Sequence, residues 1–401
     1  MTDLLGAEAA EILRPPEETL PQYNIGLYLV SIHQTSYLIA KTLALAGCRV
    51  WACAEPSLAE VTSSAENPAW PQRLYFSWLY SEEGVSVMPS ASGVPPLDAF
   101  LYEIGHLKPR FPDRLEDWMR AARRRVAWNT TDEERGRLAN LRSELGTAYR
   151  YRRFISRARS VVVGSGAVYG RVASMFRTSE RQGHFVHPMF LRDPLLRRDM
   201  FGREWLPGTA RPIRLAFAGN PQPAGRTRIL EPIARLLSRQ PGIRISKDYR
   251  EFSAETCLLH NRLAQKPLAV LWLAAAPAAG GRSKADSESI PLSDWPRILQ
   301  MCDFSLCPPG YEKKTHRVVE SLLHGAIPIL DCPEEYDIGL RDGENCIAVA
   351  GDDWTSAVKR SFDLNFERIR SMRERVRSIA VGPLQVAGTA HKWLCKLGVT
   401  R

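Results

Sequence analysis

"NIGLYLVSIHQTSYLIAKTLALAGCRVWACAEP", residues 24–56, decides the fold. The apolar run Ile25–Val30 predicts a strand, and the polar loop Ser31–Ser36 ends it. Leu38, Ile39, Leu43, Leu45 and Ala46 then recur at helical spacing, with Gly47 as the stop signal. A second apolar run, Arg49–Ala54, predicts another strand. Strand, helix, strand in that order is a β-α-β unit, the seed of a parallel sheet. Further strands are expected at Leu74–Phe76, Ala99–Ile104 and Ser160–Val163. The last runs into "GSGAVYGRVASMF" (164–176). Its G-x-G-x-x-x-G spacing is one residue too long for a dinucleotide fingerprint, and no well-placed acid follows to read a ribose. It reads as an ordinary strand-to-helix turn.

After a charged, proline-bearing stretch, "HPMFLRDPLLRRDMFGREWLPGTARP" (187–212), the pattern restarts. "IRLAFAGN" (213–220) predicts a strand and "GRTRILEPIARLLSRQ" (225–240) a basic loop and helix. "PLAVLWLA" (267–274), "DFSLCP" (303–308) and "AIPILD" (326–331) predict strands, with the helix "THRVVESLLHG" (315–325) before the last. "GIRISKDYREF" (242–252) and "GGRSKADSESIPLSDW" (280–295) read as exposed loops, the second placed to fold over a ligand. The expected layout is a tail at 1–20, a Rossmann-like domain at 21–190 and a linker at 191–211. A second Rossmann-like domain follows at 212–380, then a C-terminal helix at 381–401 that packs back on the first. Ligands of open α/β sheets lie beyond the carboxyl ends of the strands, so the site is expected in a cleft between the two halves.

The bulk composition agrees with a globular chain of this size. There are 401 residues, 44% apolar and 24% charged, more than one hydrophobic core usually holds. No apolar run approaches the length needed to span a bilayer, and the acidic first twenty residues lack the form of a signal peptide. Eight cysteines with no C-x-x-C pair read as buried free thiols. These features point to a cytoplasmic protein. The net charge of +10 points to an anionic partner. Between 110 and 160 there are 14 arginines against 7 acidic residues, densest in "RAARRRVAW" and "YRYRRFISRAR". This is either solvated helix surface or a face that rests on anionic lipid, at the inner side of a membrane, or grips an acidic acceptor.

The chemistry concentrates in "SLCPPGYEKKTHRVVESLLHGAIPIL" (305–330). A helix beginning near Lys314 or Thr315 turns unpaired amides and its positive dipole end toward whatever lies beyond the preceding strand, a setting that binds phosphate. Pro309 and Gly310 shape the loop, Gly310 allowing close backbone approach, and Thr315 can cap the helix. Lys313, Lys314 and Arg317 add cations, Arg317 with a fork for two phosphate oxygens. Glu320 follows three residues on, on the same helix face, and a carboxylate there suits the hydroxyls of a ribose. The pattern fits a nucleoside diphosphate; the plainer alternative is a surface ion pair between Arg317 and Glu320.

Residues 292–332 resemble the nucleotide-sugar signature of exostosin-type glycosyltransferases: strand, Cys-Pro-x-Gly, Ser/Thr-x-Arg-x-x-Glu, then Gly-x-x-Pro on the next strand. A weaker match covers "RLAFAGN…GRTR", and the wider layout resembles two-domain GT-B glycosyltransferases. The fold so implied is α/β, with two Rossmann-type domains facing a central cleft. The resemblance implies that Arg317 holds the donor diphosphate and Glu320 its ribose, with Arg226 or Arg228 as a second cationic contact. Thr315 in place of the usual serine, His316 where an aromatic residue is common, and Ser321 after the glutamate depart from the pattern. So does the lack of an N-terminal anchor. No Asp-x-Asp occurs anywhere in the sequence, and the cations make a metal unnecessary for the leaving group, so no cofactor is expected.

For the base that activates an acceptor hydroxyl, His33 in the loop after the first strand is one candidate; an imidazole with a pKa near 6.5 suits the task. Glu103 in "LYEIGH", at another strand end, is the rival, with His106 close behind and Asp98 weaker. Either base implies inversion at the anomeric carbon. His187 in "FVHPMF" reads as linker. The function expected is a metal-independent transfer from a nucleotide-diphosphate sugar, UDP-linked, to a hydroxyl of a glycan, lipid-linked or small-molecule acceptor. The alternatives are a catalytically inactive partner subunit of the same fold and a nucleic-acid-binding protein. The second is prompted by aromatics among cations at Tyr149–Phe154.

Overall fold

The computed structural model describes residues 22–29, 34–54, 85–87, 95–104, 115–129, 149, 160–163, 211–219, 225–251, 268–274, 294–310, 315–336, 338–384 and 386–400. They fall into two compact units. One holds the described residues up to 163 together with those from 386 onward, and the other holds 211–384.

The amino-terminal unit is a six-stranded parallel sheet: β1 (Asn24–Leu29), β2 (Arg49–Ala54), β3 (Val85–Val87), β4 (Leu97–Ile104), β5 (Ala122–Asn129) and β6 (Ser160–Val163). Their spatial order is β3-β2-β1-β4-β5-β6, so the direction of winding reverses between β1 and β4. Ile25 lies opposite both Val50 and Ala99, placing β1 at the centre. Ile25, Leu27, Val50 and Phe100 are fully buried, as expected of strands covered on both faces. Helix α1 (Gln34–Leu45) returns the chain from β1 to β2 with Ile39, Ala40 and Leu43 inward. A short helix, α2 (Leu115–Ala121), precedes β5.

The basic run "RAARRRVAW" is not helix surface: it crosses from the last turn of α2 into β5, an inner strand. The pleat of β5 turns Val126 into the core, while Arg123, at the amino end, is exposed within 3.9 Å of Asp98. Alternation of side chains along a strand lets arginines and core residues share one run, which helical periodicity would not. The second basic cluster, "YRYRRFISRAR" (149–159), lies outside the described residues apart from Tyr149, as do the strand expected at Leu74–Phe76, the glycine turn 164–176 and the linker.

The carboxy-terminal unit repeats the theme with β7 (Ile213–Gly219), β8 (Ile243–Ser246), β9 (Leu268–Ala274), β10 (Cys302–Leu306), β11 (Ile327–Leu330) and β12 (Ile347–Ala348). All pairings among them are parallel, in the order β12-β11-β10-β7-β9-β8. β8 lies within the stretch read from sequence as an exposed loop: "IRIS" pairs only with β9, at the sheet edge, where half-exposed residues are tolerated. β10 and β11 are buried at every position. The helices are α3 (Arg226–Arg239), α4 (Asp294–Met301), α5 (His316–Leu323), α6 (Trp354–Asp363) and α7 (Phe366–Ala380). Asp353 and Asn365 cap α6 and α7.

Here too the winding reverses, between β7 and β10. From β7 the chain crosses through α3 one way, and from β10 it crosses through α5 the other way. Right-handed crossovers in opposite directions put the two helices on opposite faces, which opens a crevice beyond the carboxyl ends of β7 and β10.

At the opposite ends of these strands the unit is locked by buried charge. Arg211 donates through Nη1 to the carbonyls of Cys302 (2.7 Å), Gly325 (2.9 Å) and Leu299 (3.4 Å), tying the end of α4 to the turn after α5. Such carbonyls lack helical partners and attract cations. Burial lowers the pKa of Arg211 to about 9, which still leaves it a cation at neutral pH. Asp303 lies 3.3 Å from Arg214 and 3.9 Å from Arg373, whose side chain is 1% exposed.

The last helix, α8 (Val386–Leu397), lies with the amino-terminal unit, packing on α1, β4 and β5. Trp393 and Leu394 are both fully buried there, each contributing on the order of 2 kcal/mol by removal from water. Cys48, Cys302, Cys307, Cys332, Cys346 and Cys395 are free thiols, all but the last of them buried. No described helix is long and apolar enough to cross a membrane.

Candidate functional site

The crevice of the carboxy-terminal unit collects several of the residues singled out in the sequence. β7 ends at Gly219, whose φ of 155° favours glycine. The guanidinium of Arg317 lies 5.4 Å from the ring centroid of Phe217, over the last residues of the same strand. A Cβ on Gly219 would stand 3.0 Å from Cζ and Nη1 of Arg317 and closer still to Nη2. The bare backbone of Gly219 is therefore what admits the guanidinium to the strand end.

Across the crevice, Gly225 turns the chain in left-handed conformation (φ 76°) into α3. The first helical residue, Arg226, is buried and donates through Nε to the carbonyl of Pro309 at 2.7 Å. That bond fastens the start of α3 to the loop leaving β10, so that Arg226, Pro309, Gly310 and Arg317 share one end of the sheet. Arg228, one turn further from Gly225's bend, is exposed. Lys313 and Lys314 lie outside the described residues.

Helix α5 begins at His316, one to two residues later than the sequence pattern places it. Thr315 is its N-cap: Oγ1 accepts the amide of Arg317 at 3.1 Å, and the Thr315 carbonyl accepts the amide of Val318 at 3.2 Å. Two first-turn amides are thus spent inside the helix, correcting the expectation of an open row of donors. The positive end of the dipole remains, and the Arg317 side chain becomes the chief cationic feature described. Tyr336, after β11, touches the same cap: its phenol oxygen accepts the Thr315 amide at 2.6 Å and donates to the Thr315 carbonyl at 3.3 Å. Burial raises the phenol's pKa, so the hydroxyl keeps its proton.

Glu320 is 1% exposed, and its Oε2 accepts the indole N–H of Trp295, on α4, at 2.9 Å. Glu320 is buried and bound inward to α4, so a pair at the surface does not describe it; the guanidinium of Arg317 lies over Phe217. His324, a turn beyond Glu320, is fully buried with Nδ1 3.5 Å from Gln300. Burial lowers its pKa from 6.5 to about 4, with Glu320 pulling the other way. Ser321 donates to the Arg317 carbonyl at 2.6 Å, and the Cys307 thiol lies 3.7 Å from it. Burial pushes that thiol up to about 11, which leaves it an inert packing group.

In the amino-terminal unit, Glu103 belongs to β4, one residue from its carboxyl end and beside β1 at the winding reversal. His33, His106 and His187 lie outside the described residues. Asp98 sits at the other end of β4, where it accepts the amide of Asn24 at 2.9 Å. Its position at the amino ends of the strands makes it a brace, removed from any catalytic role at the carboxyl ends. No group of three or more His, Cys, Asp or Glu side chains suited to a metal occurs among the described residues.

Sequence reading passed over Trp295 and Tyr336. Trp295 lay at the end of a supposed loop, and Tyr336 followed the last strand of the motif; nothing in local spacing ties either to α5. Only the return of the sheet brings them there.

No protein-family model matches the chain, and no curated protein matches it in sequence. Solved structures do. Anabaena HepE in complex with UDP-glucose is 12% identical, with 94% of this chain and 100% of that chain covered and a TM-score of 0.43. The same protein in complex with UDP gives 0.45 at the same identity and coverage. Sucrose-phosphate synthase from Thermosynechococcus elongatus is 12% identical over 94% of this chain and 99% of its own, with a TM-score of 0.42. Likeness this slight leaves the fold to be read from strand order and the function from the residues.

Proposed function

We propose that the chain is a glycosyltransferase of GT-B architecture that uses a nucleoside-diphosphate sugar, UDP-linked, as donor. The observation that carries this reading is the guanidinium of Arg317 seated against Gly219 at the winding reversal of the carboxy-terminal sheet. A diphosphate leaving group gains negative charge as the glycosidic bond breaks, and a preorganised cation there stabilises the transition state more than the ground state. Arg226, held by Pro309, sets the opposite wall; Arg228, Lys313 and Lys314 are assigned to the same anion. With these cations the reading needs no metal.

Glu320 carries two readings. By resemblance it would hold the ribose; its burial against Trp295 favours the alternative, that it locks α4 to α5 and so steadies Arg317. The acceptor hydroxyl, on a glycan, a lipid-linked sugar or a small molecule, is assigned to the amino-terminal unit. Glu103 or His33 would take its proton and the anomeric centre would invert. The exostosin-like signature, the cytoplasmic setting and a peripheral contact of the basic region with anionic lipid belong to the same proposal.

Calorimetric titration with UDP, 2′-deoxy-UDP, GDP and CMP tests it. Arg317→Ala is expected to weaken UDP at least 10-fold, the loss of one charge-assisted hydrogen bond. If Glu320 meets the ribose, Glu320→Ala abolishes the preference of UDP over its 2′-deoxy form. If it only braces α5, both ligands weaken alike. Unchanged UDP affinity in Arg317→Ala refutes the site. A protein that binds UDP but releases no sugar from any donor in a panel is the inactive partner subunit.

A further inference from the structure

We propose that Tyr336 is a positioning residue for the diphosphate site, fixing the cap of α5 from which Arg317 is aimed. The inference rests on the reading of that crevice as a diphosphate site. Tyr336 is 2% exposed and follows the single turn Pro333–Glu335, which brings the chain back after β11. Its phenol oxygen engages both backbone groups of Thr315, accepting from the amide at 2.6 Å and donating to the carbonyl at 3.3 Å. Thr315 in turn holds the amide of Arg317 through Oγ1 and the amide of Val318 through its carbonyl.

Thr315 is buried, so its amide has no water to turn to if the phenol is removed. The chain must then shift until that amide finds a partner, and Arg317, two residues on, moves with it. Its guanidinium has little room, because Gly219 and the Phe217 ring define its place. Displacement by a fraction of an ångström is enough to spoil a bidentate grip on two phosphate oxygens, whereas the nucleoside portion of a ligand makes no use of Arg317. Tyr336 thus acts on phosphate recognition through Thr315.

The test compares UDP with uridine by calorimetry on the full chain. In Tyr336→Phe, UDP is expected to weaken roughly 10-fold while uridine is unchanged, because only one charge-assisted interaction is misaligned. A merely structural tyrosine would lower the melting temperature and leave the UDP-to-uridine ratio intact, which would overturn the proposal. Should Tyr336→Phe fail to fold, Thr315→Ala carries the test by cutting the next link. A falling UDP-to-uridine ratio supports the chain of contacts, and an unchanged one breaks it. A wild-type protein that binds UDP no better than uridine sinks the diphosphate reading and this inference with it. A wild type that prefers UDP, with the preference kept in Tyr336→Phe, sinks the inference alone.

Discussion

Gly219→Ala is the sharpest perturbation available, because it adds one methyl group at the point where Arg317 meets the strand. The new Cβ would be 3.0 Å from Cζ and Nη1 of the guanidinium, and nearer to Nη2, where ordinary contacts begin near 3.4 Å. Strand backbone cannot yield, so the side chain must withdraw. It leaves the face of Phe217, forfeiting a cation–π contact of about 0.5–2 kcal/mol. A residue with a Cβ at φ 155° adds backbone strain of roughly 1 kcal/mol or more.

The larger effect falls on binding. A charge-assisted hydrogen bond contributes about 1.5–3 kcal/mol, so losing the Arg317 contact should weaken UDP about 10- to 150-fold. Titrations of UDP into wild type, Gly219→Ala, Arg317→Ala and the double variant give the answer as a cycle. If the methyl acts by displacing Arg317, it has nothing left to displace in the Arg317→Ala background, and the two losses fail to add. Equal losses in both backgrounds, or unchanged affinity in Gly219→Ala, would refute the placement of the anion at this strand end.

Two further outcomes concern stability. Asp303→Asn leaves Arg214 and Arg373 buried without their carboxylate, and denaturant unfolding should show a loss of about 3–5 kcal/mol. His324 is held neutral in the fold, with a pKa of about 4 against 6.5 in the unfolded chain. Between those values the unfolded state binds the extra proton, so stability falls as pH drops from about 6.5 toward 4, by about 3 kcal/mol. His324→Gln should flatten the stability profile by that amount relative to wild type across the same window; parallel profiles would show that His324 is not the titrating group.

The parallel β-α-β plan was legible because its signals are local. "NIGLYL" and "RVWACA" are apolar runs bounded by a glycine stop and a polar loop, and their strands fall within a residue of the expected limits. Arg317 and Thr315 stood out for the same reason, a strand, loop and helix in one stretch of 26 residues. What stayed hidden depends on tertiary return. "IRIS" lacks the length and apolarity of a strand and forms one because β9 offers a free edge. The arginines of β5 hid a strand whose inward face carries Ala122 and Val126. The burial of Glu320 could not be foreseen, since its partner Trp295 lies 25 residues upstream on another helix.

The position of α8 has a consequence for how the molecule is made. The sheet that it covers is synthesised before the other unit, yet the cover is encoded after the whole of that unit. Until residues 386–397 emerge, α1 and the strands beneath must wait with the surface destined for Trp393 and Leu394 bare. A nascent chain of this kind offers a sticky apolar face to chaperones while the whole of 211–384 is being made. A stop codon at position 386 would leave that face uncovered for good.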